Sequence, residues 1–187
     1  MRRSQQHPRE SSGRRGRGKG GSREPEDHAL GRSRGGFGSK LHLVTDGHGL
    51  PLAAHITAGQ RHESTQFETV MNAVRVRQPL GAPRRRPRAL AGDKGYSYPR
   101  IRRWLRRHAV HAVIPQRSDQ EARRQGRPLS FDREAYRRRN VIECCIGWLK
   151  ECRRIATRFE KLALNFLAMV KLAVMQRYLK LLFPDRA

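Results

Sequence analysis

The hydrophobic pattern of the chain changes sharply near residue 38. Before it, residues 1–36 carry eight glycines and ten Lys/Arg with almost nothing apolar, the composition of a disordered basic arm. After it, apolar positions recur with structural periods. "KLHLVTDGHGLPLAAHIT" (40–57) is two apolar runs around Asp46-Gly47-His48-Gly49, which predicts a β-hairpin. "AGQRHESTQFETVMNAVRV" (58–76) opens a helix, with Ser64 or Thr65 as its cap and Phe67, Val70, Met71 and Val74 at helical spacing. "GAPRRRP" (81–87) reads as a loop and "RALAGD" (88–93) as a short buried strand ending in a turn. "SYPRIRRWLRRHAV" (97–110) is a helix with Pro99 in its first turn and Ile101, Trp104 and Leu105 on one face. "HAVIP" (111–115) is a further strand, and "QRSDQEARRQGRPLS" (116–130) a polar loop. A long helix from about Arg133 to Arg153 and a C-terminal helix complete the order. Hairpin, helix, strand, helix, strand, helix, helix predicts a mixed α/β sheet flanked by helices.

Charge changes this picture from generic to specific. Forty-one Lys/Arg against 16 Asp/Glu give a formal net charge of +25. That excess favours a polyanion, foremost nucleic acid, over an anionic membrane, and ribosomal proteins share it, so charge alone does not separate DNA from RNA. Residues 1–36 have no apolar core of a signal peptide, and "KLALNFLAMVKLAVMQRYLKLLF" (161–183) is interrupted by Lys161, Lys171, Gln176, Arg177 and Lys180, which predicts a buried or interface helix and not a membrane span. Cys144, Cys145 and Cys152 form neither a disulfide framework nor a zinc set, and read as small helix-packing residues of a reducing compartment. The histidines are scattered without paired spacing, and none is read as a metal ligand.

Within so basic a chain, two acids stand out. Asp93 is the sole acid between Glu68 and Asp119, and ten Lys/Arg lie from Arg84 to Arg107. It follows a predicted strand at the carboxyl end, where α/β sheets place ligands, and Gly92 and Gly95 flank it as a backbone approaching a substrate requires. A lone carboxylate there opposes DNA unless it holds a cation that bridges to phosphate. The plainer alternative is an aspartate that closes a turn or caps the next helix. The second acid is Glu143. At 100° per residue, Tyr136, Arg139, Glu143 and Lys150 fall in a stripe roughly 60° wide on a helix that is otherwise largely apolar. Such a stripe suits a site in which Glu143 binds a metal and Arg139 and Lys150 hold phosphates. An Arg139–Glu143 ion pair at i,i+4 is the alternative.

Together these residues resemble a known family. Tyr136-x2-Arg139-x3-Glu143-x6-Lys150 looks like the Y-R-E-K signature of bacterial insertion-sequence DDE transposases of the insertion-sequence-four and -five type. "GDKGY" (92–96) resembles the segment around that family's second catalytic aspartate, and "GRSRGGFGSKLHLVTDGHGLPL" (31–52) with "ITAGQRHES" (56–64) its early hairpin. The likeness runs from about Leu30 to Leu182. It implies a ribonuclease-H-like α/β fold, and three carboxylates holding two Mg2+ or Mn2+ ions for strand cleavage and transfer at element ends. Carried over, Asp93 is the second carboxylate and Glu143 the third, both catalytic and metal-binding. Tyr136, Arg139, Lys150, Lys94, Lys40 and Arg34 are supporting or DNA-binding. The implied partners are double-stranded DNA, as terminal inverted repeats and target, with a homo-oligomer on DNA left open, no membrane, and a cytoplasmic, nucleoid-associated location.

One part of the pattern has no match. The family's first aspartate sits on a strand before the hairpin. Here Asp27 lies in polar "REPEDHAL" and Asp46 in the hairpin turn, so the first catalytic aspartate is unassigned. The expectation is a disordered basic arm over 1–36 and an incomplete catalytic domain over 37–183, its first strand missing. Residues 1–23 read like sequence translated in an unrelated frame, as in a downstream-frame product. Alone, such a chain is expected to bind DNA and to catalyse weakly or not at all. The competing class is a non-catalytic basic nucleic-acid-binding protein, such as a ribosome-associated factor.

Overall fold

A computed structural model describes residues 28–33, 36–123, 125–126 and 129–184. The basic arm over 1–27 and Arg34 lie outside the described residues. Structure begins earlier than the hydrophobic pattern indicates. Strand β1 (Gly31–Ser33) folds back on the start of β2 (Gly36–Thr45), with Gly31 opposite Gly38. Long-range polar contacts explain it. The Arg158 guanidinium donates to the His28 carbonyl at 2.5 Å and also to the Ser39 hydroxyl, while its charge lies 5.0 Å over the Phe166 ring. No apolar period signals such an anchor.

The predicted hairpin forms, pairing β2 with β3 (Pro51–Ala58) antiparallel from Ser39↔Ala58 to Val44↔Ala53. Asp46 makes the turn, accepting from the amides of His48 at 2.9 Å and Leu50 at 2.8 Å. Gly59 must be glycine, because a Cβ there would meet the carbonyl oxygens of Gly31 at 2.8 Å and Gly38 at 2.9 Å. Helix α1 (Phe67–Ala73) buries Phe67, Val70 and Met71, and Val74 just beyond it is buried too. Its entry differs from the expected cap. A 3-10 turn over Glu63–Gln66 precedes it, and the His62 ring, not Ser64 or Thr65, accepts the orphan amide of Ser64 at 3.2 Å. Ser64 is itself buried, so its hydroxyl is held inward against His62.

Strand β4 (Ala89–Ala91) runs parallel to β5 (His111–Val113), joined by α2 (Pro99–Arg107), whose Ile101, Trp104 and Leu105 are buried as the spacing predicts. Helix α2 ends in a Schellman motif, with Val110 N–H donating to the Leu105 carbonyl at 2.9 Å and Ala109 N–H to Arg106 at 3.1 Å. The residue that turns left-handed is Ala109, at φ 53°. A Cβ in that region is strained. Ala109→Gly is therefore expected to stabilise the fold by about 0.5–1 kcal/mol, a small loss from unfolded-state entropy included. Urea denaturation would read it as a higher midpoint with an unchanged slope.

The remaining helices are α3 (Ser118–Ala122) within the predicted polar loop, α4 (Arg133–Arg137), α5 (Asn140–Glu151), α6 (Arg153–Thr157) and α7 (Ala163–Leu182). The expected single helix from Arg133 to Arg153 is thus interrupted. Val141 and Ile142 bond three residues back, to Arg138 and Arg139, which tightens the chain into a 3-10-like turn between α4 and α5. Two cores result. Cys145 and Leu149 of α5 pack with Ile155, Phe166, Val170 and Ile56 against the side of the hairpin that carries Leu41 and Leu43. Phe67 and Met71 pack with α2, Val110 and Ile114, against Val44 and Leu90. Cys145 packs as expected, but Cys144 is exposed, because the adjacent position points away from the face that α5 buries.

The sheet itself departs from expectation. The strands form not one mixed sheet but two, a three-stranded antiparallel one (β1-β2-β3) and a two-stranded parallel one (β4-β5). Ala89 and Ala91 of β4, expected to be buried, are exposed. Among the described residues the outer edge of β4 pairs with no strand.

Candidate functional site

A concavity lies where the two sheets fail to meet. It is a cavity of about 670 Å3 bounded by the edge of β2 (His42–Asp46), by β4 and the turn after it (Arg88–Asp93), by α1, and by Val141 and Ile142 of α5. Its walls are mostly apolar. Arg84, Arg86, Arg88, Arg138 and Arg139 and the acids Asp46, Glu63 and Asp93 also line it.

Asp93 sits at the carboxyl end of β4, as the sequence pattern requires. Its side chain is folded onto its own backbone, with Oδ1 accepting from the Gly95 amide at 2.8 Å and capping a 3-10 turn (Lys94–Tyr96). A Cβ at Gly95 would stand 2.9 Å from Asp93 Oδ1, so the carboxylate would have to shift to admit one. At Gly92 an added Cβ makes only ordinary contacts, so no close approach to a substrate is needed to explain it. Asp93 therefore closes a turn, and it also lines the cavity. The Tyr96 phenol is pushed up to about 12, first by burial and then by the charges of Asp93 and Glu63.

Glu143, more than half exposed, accepts from Arg139 at 2.5 Å, and Arg139 in turn lies 5.4 Å over the Tyr136 ring. The Tyr136–Arg139–Glu143 part of the stripe is thus contiguous despite the helix break. Arg139 lines the cavity with Asp93, whereas Glu143 and Tyr136 are not among its lining residues. Lys150 is exposed near the end of α5, and Lys94 is exposed in the turn after Asp93. Lys40 is committed elsewhere, donating to Glu63 at 2.6 Å and to the Arg61 carbonyl at 2.9 Å.

Glu63, which the sequence pattern does not single out, also lines the cavity. Burial raises its carboxyl, but the hydrogen bond of Lys40, a backbone hydrogen bond and the charges of Lys40 and His62 together outweigh this and hold it below the ordinary carboxylate range. Its signal in the sequence is weak, a Glu in the first turn of a predicted helix, where acids are common anyway.

The carboxylates test poorly as a metal centre on their own. Among the described residues no group of three or more His, Cys, Asp or Glu is placed to hold an ion. Asp93 has one oxygen on an amide, and Glu143 has one on a guanidinium. These residues do not by themselves fit a pair of divalent ions, which need at least one further carboxylate nearby.

His42, buried in β2 beside the cavity, bonds Thr57 at 2.7 Å. Its pKa is lowered from 6.5 to about 4, first by burial and then by the charges of His55 and Lys40, against an opposing pull from Glu63. The folded state resists the proton that the unfolded state accepts, so the associated stability is complete above pH 6.5 and is lost as pH falls from 6.5 towards 4. At most about 3 kcal/mol is involved. Urea midpoints across this window should fall more steeply for the native chain than for His42→Gln, and parallel curves would show that His42 carries no such linkage.

Comparison with known proteins agrees with the resemblance. Residues 8–176 match the family described as the transposase DDE domain. The chain is 35% identical over 127 residues to a putative transposase for insertion sequence element IS402 of Burkholderia cepacia, covering 67% of this chain and 56% of that protein. It is 29% identical over 146 residues to a putative transposase for element IS6501 of Brucella ovis, covering 76% of this chain and 98% of that protein. No solved structure matches. Among the described residues no helix is long and apolar enough to cross a membrane. With most of its length inside the match, this chain belongs to the transposase DDE domain family, among the bacterial insertion-sequence transposases.

Proposed function

We propose that the chain carries the DNA-cleaving domain of an insertion-sequence transposase, acting on the ends of its element and on target DNA. The observation that carries this reading is the family match over residues 8–176, which contains Asp93 and the Tyr136–Arg139–Glu143–Lys150 set. In this reading Asp93 and Glu143 are two of three carboxylates, and the first belongs to no assigned residue. Magnesium or manganese is the proposed cofactor of the completed set. Arg139 holds the Glu143 carboxylate by a direct hydrogen bond. The arginines beside β4 draw in phosphates, and Lys150 holds the DNA end. The fold reading is ribonuclease-H-like, with the antiparallel and parallel sheets as two parts of one sheet.

A second reading has its own support. Asp93 and Glu143 each have a local partner, as they would in a basic nucleic-acid-binding protein without catalysis. The deciding experiment is plasmid nicking with Mg2+ or Mn2+, on DNA bearing the element ends. It compares this chain with one extended at its N-terminus by the translated upstream sequence. Metal-dependent nicking by the extended chain supports the transposase reading. DNA binding without nicking by either chain, under either metal, supports the second.

A further inference from the structure

A second cavity, of about 520 Å3, lies on the outer side of α2 and shares no lining residue with the first. Its main wall follows from helix geometry. At 100° per residue, Pro99, Arg102, Arg103 and Arg106 fall within roughly 100° of one another, opposite the buried Ile101, Trp104 and Leu105. Three guanidiniums therefore share one wall, and His111 of β5 and Ser130 also line the cavity. The site is braced from within. Arg102 donates to the Ile114 carbonyl at 2.8 Å, which fixes where its guanidinium stands. Ser97, 1% exposed, donates to Gln120 Oε1 at 2.5 Å, and Gln120 returns a bond to the Ser97 carbonyl at 2.7 Å, tying α3 to the start of α2. No acid lines the cavity among the described residues, and Asp119 beside Gln120 is paired with Arg117 at 3.5 Å. Arg103 and Arg106 are exposed and enter no ion pair among the described residues.

We infer that this cavity binds a phosphate monoester. Such a group carries a charge of about −1.5 to −2 at pH 7 and three acceptor oxygens. Guanidiniums gathered on one wall suit it better than a backbone diester with a single charge. The concave shape points the same way. A duplex backbone needs a stripe of contacts, whereas a cavity of this size takes a group that enters end-on. No Phe, Tyr or Trp lines it, so a base finds no stacking surface and the phosphate is what is recognised. Two sources present this chemistry, a free nucleotide or phosphate and the phosphorylated end of a nucleic-acid strand. The site uses neither Asp93, Glu143 nor a metal ion, so the inference stands apart from the cleavage reading.

The test is calorimetric titration of the 187-residue chain with AMP, inorganic phosphate, adenosine and cyclic AMP. AMP should bind saturably and inorganic phosphate should compete with it. Adenosine should not bind, and cyclic AMP, a diester, should bind at least tenfold more weakly. Arg103→Ser combined with Arg106→Ser should weaken AMP at least tenfold, and both side chains are exposed, so the fold survives. Arg77→Ser combined with Arg153→Ser removes the same charge at exposed positions outside both cavities, and should change AMP binding less than twofold. Arg103→Lys with Arg106→Lys keeps the charge but loses the forked donors, and should cost at least threefold. A short single strand, with either a 5′-phosphate or a 5′-hydroxyl, separates the sources. A fivefold preference for the phosphorylated strand, lost in the Arg103/Arg106 serine variant, assigns the site to a strand end. AMP binding without that preference assigns it to a free nucleotide or phosphate. Equal losses in the two serine variants, or cyclic AMP binding as tightly as AMP, overturns the inference. So does the absence of both AMP binding and a strand-end preference. Plasmid nicking plays no part in these readouts, so failure here leaves the cleavage reading untouched, and the reverse holds too.

Discussion

DNA affinity should fall by about 10³- to 10⁵-fold between 50 and 200 mM salt, the range for a protein that neutralises six to ten phosphates. The formal charge of +25 far exceeds what that footprint needs, so the arrangement of charge decides the slope. Arg84, Arg85, Arg86 and Arg88 are exposed beside β4, and Arg103, Arg106 and Arg107 are exposed on α2. None of these faces an acid in an ion pair among the described residues, whereas Lys40 is bound to Glu63 and Arg139 to Glu143. Replacing Arg84, Arg85 and Arg86 by Ser should lower the log–log salt slope by up to about 3, at roughly 0.9 for each phosphate that is no longer neutralised. Fluorescence anisotropy on a labelled duplex at several salt concentrations measures both. A shallow slope in the native chain would mean that its charge is scattered and is not gathered on a DNA-facing surface.

The other large effect concerns the two carboxylates. In the N-terminally extended chain, Asp93→Asn and Glu143→Gln should each reduce metal-dependent nicking by on the order of a hundredfold to a thousandfold, the scale of removing one preorganised group that stabilises charge in a transition state. Duplex binding should be unchanged or slightly tighter, because each change removes a negative charge beside arginines, Asp93 in the cavity and Glu143 on Arg139. This opposition separates catalysis from folding damage. Glu143 is mostly exposed, and its pair with Arg139 on a helix surface contributes only about 0.3–0.5 kcal/mol. Loss of binding together with nicking would mean that these residues are structural.

The elements are legible in the sequence to different depths. The hairpin, α1, α2 and the core positions Phe67, Ile101 and Leu105 follow from period and turn chemistry, because each contact lies within a few residues or on one face of one helix. The helix from Arg133 reads as unbroken because Arg137-Arg138-Arg139-Asn140 contains no glycine or proline to stop it, while the tightened turn at Arg138 and Arg139 is a matter of backbone bonding. The His62 cap and the Arg158 anchor are not legible. Each depends on a side chain whose partner is fixed only when the chain has folded, as between Arg158 and the distant His28.

By itself, the sequence determined the class of this protein: an α/β domain, heavily basic, with one acid after a strand and another in a Tyr-Arg-Glu-Lys pattern, all properties of residue type and spacing. Only the tertiary structure decided how those acids are held, Asp93 on the Gly95 amide and Glu143 on Arg139, since rotamers depend on packed neighbours. It also decided that the strands make two sheets with an apolar slot between them. Strand pairing is non-local, so an unfilled edge leaves no mark on the residues that border it.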